Sequence, residues 1–256
     1  MRAHHYLVIA VVCIAIMSFY GASTSLAADK NAPANQITLL AEKISGGYLE
    51  IDGTKGMGVY PDLFYEAGAA SGVDVVFRYV PWGRAFHEVE RSSHLLTFPL
   101  TRLPVREAKY SWLVSLDRDE IVFLSRNAPV DTLGQARNLQ RILVWKGSSM
   151  EIFLKKQGFT NLTTVGTTAA LIRMLRGKRA DAWFTVRPEN VDDLNPPGEM
   201  EKIVAGQIIH TESVWLTGGK SFVHSDASRR FSAALDKLVK AGRLKELKAR
   251  LRAPKQ

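Results

Sequence analysis

From Ile37 onward, short apolar runs alternate with segments of helical character, and this alternation narrows the possible folds more than anything else in the chain. Ile37–Ala41 reads as a strand. A Gly-rich loop follows over 42–58, with a hairpin turn at Asp52-Gly53. Pro61–Ala70 reads as a helix that opens on a proline and closes near Gly72. Val73–Val80 is a second strand, Pro81–Arg91 a second helix and Leu95–Phe98 a third strand. The charged segment Asp117-Arg118-Asp119-Glu120 marks a break, after which the pattern restarts. Ile142–Trp145 is a strand, Met150–Gly158 a helix, Thr167–Arg176 a helix capped by Gly177, and Ala182–Val186 a strand. Strands alternating with short helices specify an α/β fold with a largely parallel sheet. Two such units predict two lobes of one architecture. The sequence has no short-period repeat and no low-complexity tract.

The N-terminus has the form of a secretory signal. Arg2 supplies positive charge, Leu7–Met17 is an unbroken apolar run, and Ser25-Leu26-Ala27 offers small residues before a cleavage site at Ala28. Residues 1–27 are therefore expected to be removed, leaving a periplasmic protein. The apolar run is shorter than the roughly 20 residues a spanning helix needs. Cys13, the chain's one cysteine, lies inside this segment, and Ala10-Val11-Val12 before it is a poor lipidation site. The mature chain then has neither disulfide nor thiol, and its hydrophobic core must hold it together.

The formal net charge is +9. Much of it lies in Lys237–Lys255, where Leu235, Leu238, Val239, Leu244, Leu247 and Leu251 recur at helical spacing. Basic residues between them read as a solvated helix face, and no motif or aromatic platform supports a nucleic-acid partner. His87, His94, His210 and His224 lack metal-ligand spacing, and no nucleophile–base constellation or cofactor motif is present. The chain is read as a binder and not an enzyme.

The stretch Pro99-Leu100-Thr101-Arg102-Leu103-Pro104-Val105-Arg106-Glu107 carries the strongest chemical signal. Pro99 is read as a turn after the third strand, and Pro104 suits the first turn of a short helix. Arg106 would sit just inside that helix. There its guanidinium could clamp a carboxylate through two parallel hydrogen bonds, or form a surface pair with Glu107.

Five blocks now resemble the bacterial extracellular solute-binding proteins of family 3, the polar amino-acid type that feeds ABC importers. Gly56-Met57-Gly58-Val59-Tyr60-Pro61-Asp62-Leu63 is similar to the "G-x-x-x-D-L" that opens the first helix. Thr101–Glu107 resembles "T-x-T-P-E-R-E", with Tyr110-Ser111-Trp112 after it. Lys146-Gly147-Ser148-Ser149-Met150-Glu151 is the third block. Met174-Leu175-Arg176-Gly177-Lys178-Arg179-Ala180-Asp181-Ala182 resembles "M-L-x-x-G-R-x-D-A", and Phe231–Leu247 the closing helices.

The resemblance implies a type II periplasmic-binding-protein fold. Each lobe would be a central, mostly parallel sheet flanked by helices, and two hinge strands would join the lobes. Lobe 1 would comprise 34–116 and 217–256, and lobe 2 117–216, with the second crossing near Ile208–Leu216. It implies a monomer that captures a small ligand in the cleft, closes about its hinge and delivers the ligand to the membrane subunits of an ABC importer. The alternatives are a ligand-sensing partner of a membrane receptor and a dehydratase-like enzyme on the same fold.

On this resemblance Arg106 grips a ligand carboxylate and Thr101 adds a bond to it. Ser148 and Ser149, at a strand-to-helix turn, read as an anion site or as ordinary helix capping. Glu42 follows the first strand, where relatives carry an acid for a cationic group; an exposed loop residue is the other reading. Tyr48, Trp82 and Trp112 are candidate cleft walls, with Trp112 equally a core residue, and Thr185 is a further candidate ligand contact. The chain also departs from the pattern. Trp183-Phe184-Thr185-Val186-Arg187 lacks the acid that amino-acid binders use for an α-ammonium, and Phe98-Pro99-Leu100 lacks polar side chains nearby. The carboxylate half of the site looks kept and the ammonium half lost.

Overall fold

A computed structural model describes residues 35–44, 46–198 and 200–252. The segment 1–27 expected to be a signal, with Cys13 inside it, lies outside the described residues. Strand β1 (Gln36–Ala41) leads through a hairpin, β2 (Glu50–Asp52) and β3 (Lys55–Met57), into helix α1 (Val59–Ser71), which ends on Gly72 in the left-handed region at φ 65°. Then come β4 (Asp74–Tyr79), α2 (Trp82–Glu90) and β5 (Leu95–Thr101). A single 3-10 turn over Pro104–Arg106 precedes β6 (Tyr110–Arg126).

The second unit runs α3 (Leu133–Arg137), β7 (Ile142–Trp145), α4 (Ser149–Lys156), β8 (Leu162–Val165), α5 (Thr168–Arg176) and β9 (Ala182–Val186). After β10 (Ile203–Ala205), β11 (His210–Gly219) returns to the first unit, which closes with α6 (Asp226–Lys240) and α7 (Arg243–Arg252).

The expected pair of sheets is joined into one. Nine strands form a continuous sheet in the order β4-β1-β5-β11-β6-β9-β7-β8, with β10 pairing β6 off that path. Pairing is parallel where helices cross over, β4-β1-β5 on one side and β9-β7-β8 on the other. It is antiparallel along β11 and β6, the two strands that cross between the units.

Two principal cores mark the two lobes, and two smaller clusters pack the other sheet faces, around Leu40 and Val89 in the first lobe and around Leu143 and Leu171 in the second. One principal core gathers Leu39, Phe64, Phe77, Phe98, Val114, Leu216, Phe231 and Leu247. The other gathers Ile121, Phe123, Val144, Leu154 and Phe184. The side chains on either side of 117–120 belong to different cores, and the ladder between β6 and β11 shifts register beside that waist.

Two local expectations change. Pro99 is not a turn residue, because β5 runs through it to Thr101. The strand tolerates it because the β5–β11 ladder is irregular there: Leu100 pairs Trp215 and Thr97 pairs Thr217, so the missing N–H breaks no regular rung. The charged segment 117–120 is not a break between units but the middle of the 17-residue β6. Charge is tolerated there because neither core covers the strand as it crosses.

Candidate functional site

A cavity of about 340 Å³ lies between the lobes. This is the scale of small-molecule pockets, which run from about 300 Å³ upward. Glu42, Tyr48, Tyr60, Trp82 and Pro99 line it from the first lobe, and Trp145, Ser148, Trp183 and Thr185 from the second. Gly58 fits the wall together. Its φ is 114°, and a Cβ there would stand 2.5 Å from the Gly47 carbonyl. That close approach lets Val59 and Tyr60 donate their N–H groups to the Gly47 and Tyr48 carbonyls at 3.0 and 3.1 Å, which sets Tyr48 beside α1.

Five of the sequence-predicted residues, Glu42, Tyr48, Trp82, Ser148 and Thr185, line this cavity. Glu42 Oε2 accepts the Trp82 backbone N–H at 2.7 Å, tying the end of β1 to the start of α2. The Ser148 hydroxyl accepts the Glu151 N–H at 3.2 Å, so it caps α4 while facing the cavity. The indole N–H groups of Trp82 and Trp183 are buried without a protein acceptor.

Arg106, Thr101 and Ser149 are brought together, but beside the cavity rather than on its wall. Glu107 pairs with Arg102, at 2.8 and 3.1 Å, and not with Arg106. Arg106, 9% exposed, donates to the Thr101 carbonyl at 2.9 Å and the Gly147 carbonyl at 3.3 Å, and so touches both lobes. Burial holds its guanidinium below the ordinary range. The Thr101 hydroxyl lies 3.2 Å from the Ser149 hydroxyl across the cleft. Trp112 is away from the site, packed edge-on against Trp215 with Arg102 above its ring.

Five functional candidates escaped the sequence reading: Glu212, Lys248, Asp117, Asp119 and Glu189. Glu212 on β11 accepts hydroxyl bonds from Thr101, at 3.2 Å, and from Ser149, and lies 3.0 Å from His210 Nε2. Lys248 on α7 corrects the picture of a uniformly solvated basic face: its ammonium lies 2.5 Å from Asp117 and 3.6 Å from Glu189. Burial pulls Lys248 down, but the bond to Asp117 and the charges of Asp119 and Glu189 outweigh it, and the net shift is upward. Burial and the Glu189 carboxylate push the Tyr48 hydroxyl well above its ordinary range. None of the five carried a local motif.

Asp119 faces the same cavity. Burial, with Asp117, Glu212 and Glu189 adding to it against the pull of Lys248, raises its carboxyl to about 7 from an ordinary 3.8. The folded state therefore keeps this proton to higher pH than the unfolded chain does, and stability falls through this group as pH rises from about 4 to about 7. Asp119→Asn is expected to gain stability over the parent at pH ~8 and little at pH ~4 in urea unfolding. An equal gap at both pH values would remove Asp119 as the titrating group.

No family model matches the chain, and no curated protein matches it. Solved structures do. A histidine kinase sensor domain with similarity to periplasmic binding proteins superposes with a TM-score of 0.71 at 17% identity, over 84% of this chain and 95% of that one. The arginine-, lysine-, histidine-binding protein ArtJ from Geobacillus stearothermophilus superposes at 0.70 and 16% identity, over 84% and 94%. The amino acid ABC transporter substrate-binding protein AbpA from Streptococcus pneumoniae, bound to L-arginine, superposes at 0.68 and 14% identity, over 85% and 94%. The likeness is one of fold: the chain has the two-lobe α/β architecture of the periplasmic binding proteins.

Proposed function

We propose that the protein is a periplasmic solute-binding protein, one that captures a small carboxylate-bearing ligand between its lobes and delivers it to an ABC importer. One observation carries the ligand chemistry. Arg106 is a buried cation at the lobe junction, and among the described residues no carboxylate lies within ion-pair distance of it. Its hydrogen bonds go to two neutral carbonyls, the Phe86 ring lies 5.9 Å from the guanidinium, and the Glu212 charge acts on it without an ion pair. A buried cation with no ion pair favours an anionic partner, and a planar guanidinium matches a carboxylate through two parallel bonds. The unpaired indole N–H groups of Trp82 and Trp183 add donors at the adjoining cavity.

A second reading, a sensor that presents the ligand to a membrane receptor, uses the same site and is favoured by the likeness to a sensor domain. Ligand capture predicts a thermal shift, because a molecule that binds only the folded state stabilises it by about 2.7 kcal/mol at 100 times its Kd. A broad panel of small carboxylates is expected to contain compounds that raise the melting temperature and are recovered unchanged. A shift with neutral sugars and none with carboxylates would overturn the carboxylate assignment. Chemical conversion of the bound compound would favour the dehydratase-like alternative.

A further inference from the structure

Building on the reading of Arg106 as the carboxylate grip, we infer that the rest of the ligand is apolar, an aromatic ring or a short alkyl chain, seated against one face of the second lobe's sheet. Strand register builds that face. Leu124 on β6 stands opposite Trp183 on β9, and Trp183 stands opposite Leu143 on β7. Paired residues share a face, and Trp145, two places beyond Leu143, returns to it. Helix α5 lies over this face, with Leu171 and Leu175 buried against it. Phe123, Val144 and Phe184 alternate with these residues and point to the opposite face, into the lobe's principal core. Five members of the smaller cluster, Leu124, Trp145, Ile172, Trp183 and Leu194, also line the inter-lobe cavity. Trp145, Ile172 and Leu194 are only half-buried, so the cluster leaves apolar surface facing the cavity.

The charged part of the wall offers little to a polar ligand body. Glu42 accepts the Trp82 N–H, Lys43 lies 3.3 Å from Glu50, and Arg187 lies 3.7 Å from Glu120. Glu189 and Lys248 pair with each other at 3.6 Å. Most charged side chains of the wall therefore have partners within the protein. A polar body would give up its water against rings and aliphatic chains and gain few bonds in return, whereas an apolar body releases water from both surfaces. The patch is also within reach of the grip. Arg106 donates to the Gly147 carbonyl, and Trp145 and Ser148, on either side of Gly147 in the chain, line the cavity. A ligand whose carboxylate reaches Arg106 has its body beside Trp145. The cavity volume of about 340 Å³, at the small end for small-molecule pockets, restricts that body to a compact one.

The experiment is calorimetry with acetate, butyrate, hexanoate and octanoate, and with phenylacetate and indole-3-acetate against succinate and L-glutamine. Affinity for the wild-type protein is expected to rise about threefold to fourfold with each added methylene until the cavity is filled. At least one ring-bearing acid is expected to bind about tenfold or more tighter than succinate and L-glutamine. Ile172→Asn puts an amide into the patch, and Thr168→Trp fills the cavity from the half-buried first residue of α5. Each is expected to remove most of the gain. Thr168 lies outside the apolar cluster, so its variant tests the patch even if Ile172→Asn does not fold. A flat or falling affinity along the series, tightest binding of the polar acids, or a gain that survives in the folded variants overturns the apolar body while the Arg106 reading stands. If 2-phenylethanol binds as tightly as phenylacetate, the Arg106 reading falls and the apolar patch stands. If no acid binds, both fall.

Discussion

Truncating Phe64 to alanine is expected to lower the free energy of unfolding by about 3–5 kcal/mol, the range for a large aromatic removed from a packed core. Phe64 is fully buried in α1. Its ring meets Phe98 edge-on, with centroids 4.5 Å apart, and lies 6.2–6.4 Å from Tyr60, Phe77 and Phe231. It therefore joins α1, β4, β5 and α6, four elements from both ends of the chain. Interiors packed to crystal density relax only partly around a hole, so the loss includes a cavity term as well as lost transfer energy. Urea unfolding of the variant, read at an unchanged m value, measures the difference. A loss below about 1 kcal/mol would mean that this ring cluster is not the centre of the first lobe's core.

The second large effect concerns binding. Arg106→Ala is expected to weaken a carboxylate ligand by about tenfold to a hundredfold, as a lost charged hydrogen-bonding partner would. The same change removes two donors that reach carbonyls on opposite lobes, so some stability goes with it. Arg106→Lys separates the two consequences. An ammonium keeps the charge but cannot present the planar fork, so affinity is expected to recover only in part. Calorimetry with whichever carboxylate raises the melting temperature provides the measurement. Unchanged affinity in the alanine variant would dismiss Arg106 as the grip.

Much of the local structure was legible. Proline near the start of α1 and a glycine just past its end announce the helix, and Gly72 takes the left-handed φ such an ending uses. β1, β7 and β9 coincide with short apolar runs because they are buried strands with neighbours on both sides. Pro104 opens the turn that carries Arg106, as its fixed φ suits. Legibility failed where the chain crosses between lobes. β6 carries Asp117, Arg118, Asp119 and Glu120 in its middle, which looks like a loop to any local measure of hydrophobic period. It is a strand because β11, some ninety residues further on, pairs with it from Ile121 back to Tyr110. The basic C-terminal helices failed similarly: their apolar spacing was clear, but that Lys248 turns inward to Asp117 depends on where α7 lands.

What the sequence determined without help is therefore the set of elements, their alternation and the presence of an arginine turn, since each is encoded within a few residues by burial period, caps and backbone restrictions. The tertiary structure alone decided which side chains share a site. Glu212 meets Thr101 across 111 positions and Ser149 across 63. Those meetings depend on strand pairing and lobe packing, which no window of sequence contains. The physical reason is that register is fixed by the buried faces of partner strands far along the chain, and a functional side chain inherits its neighbours from that register.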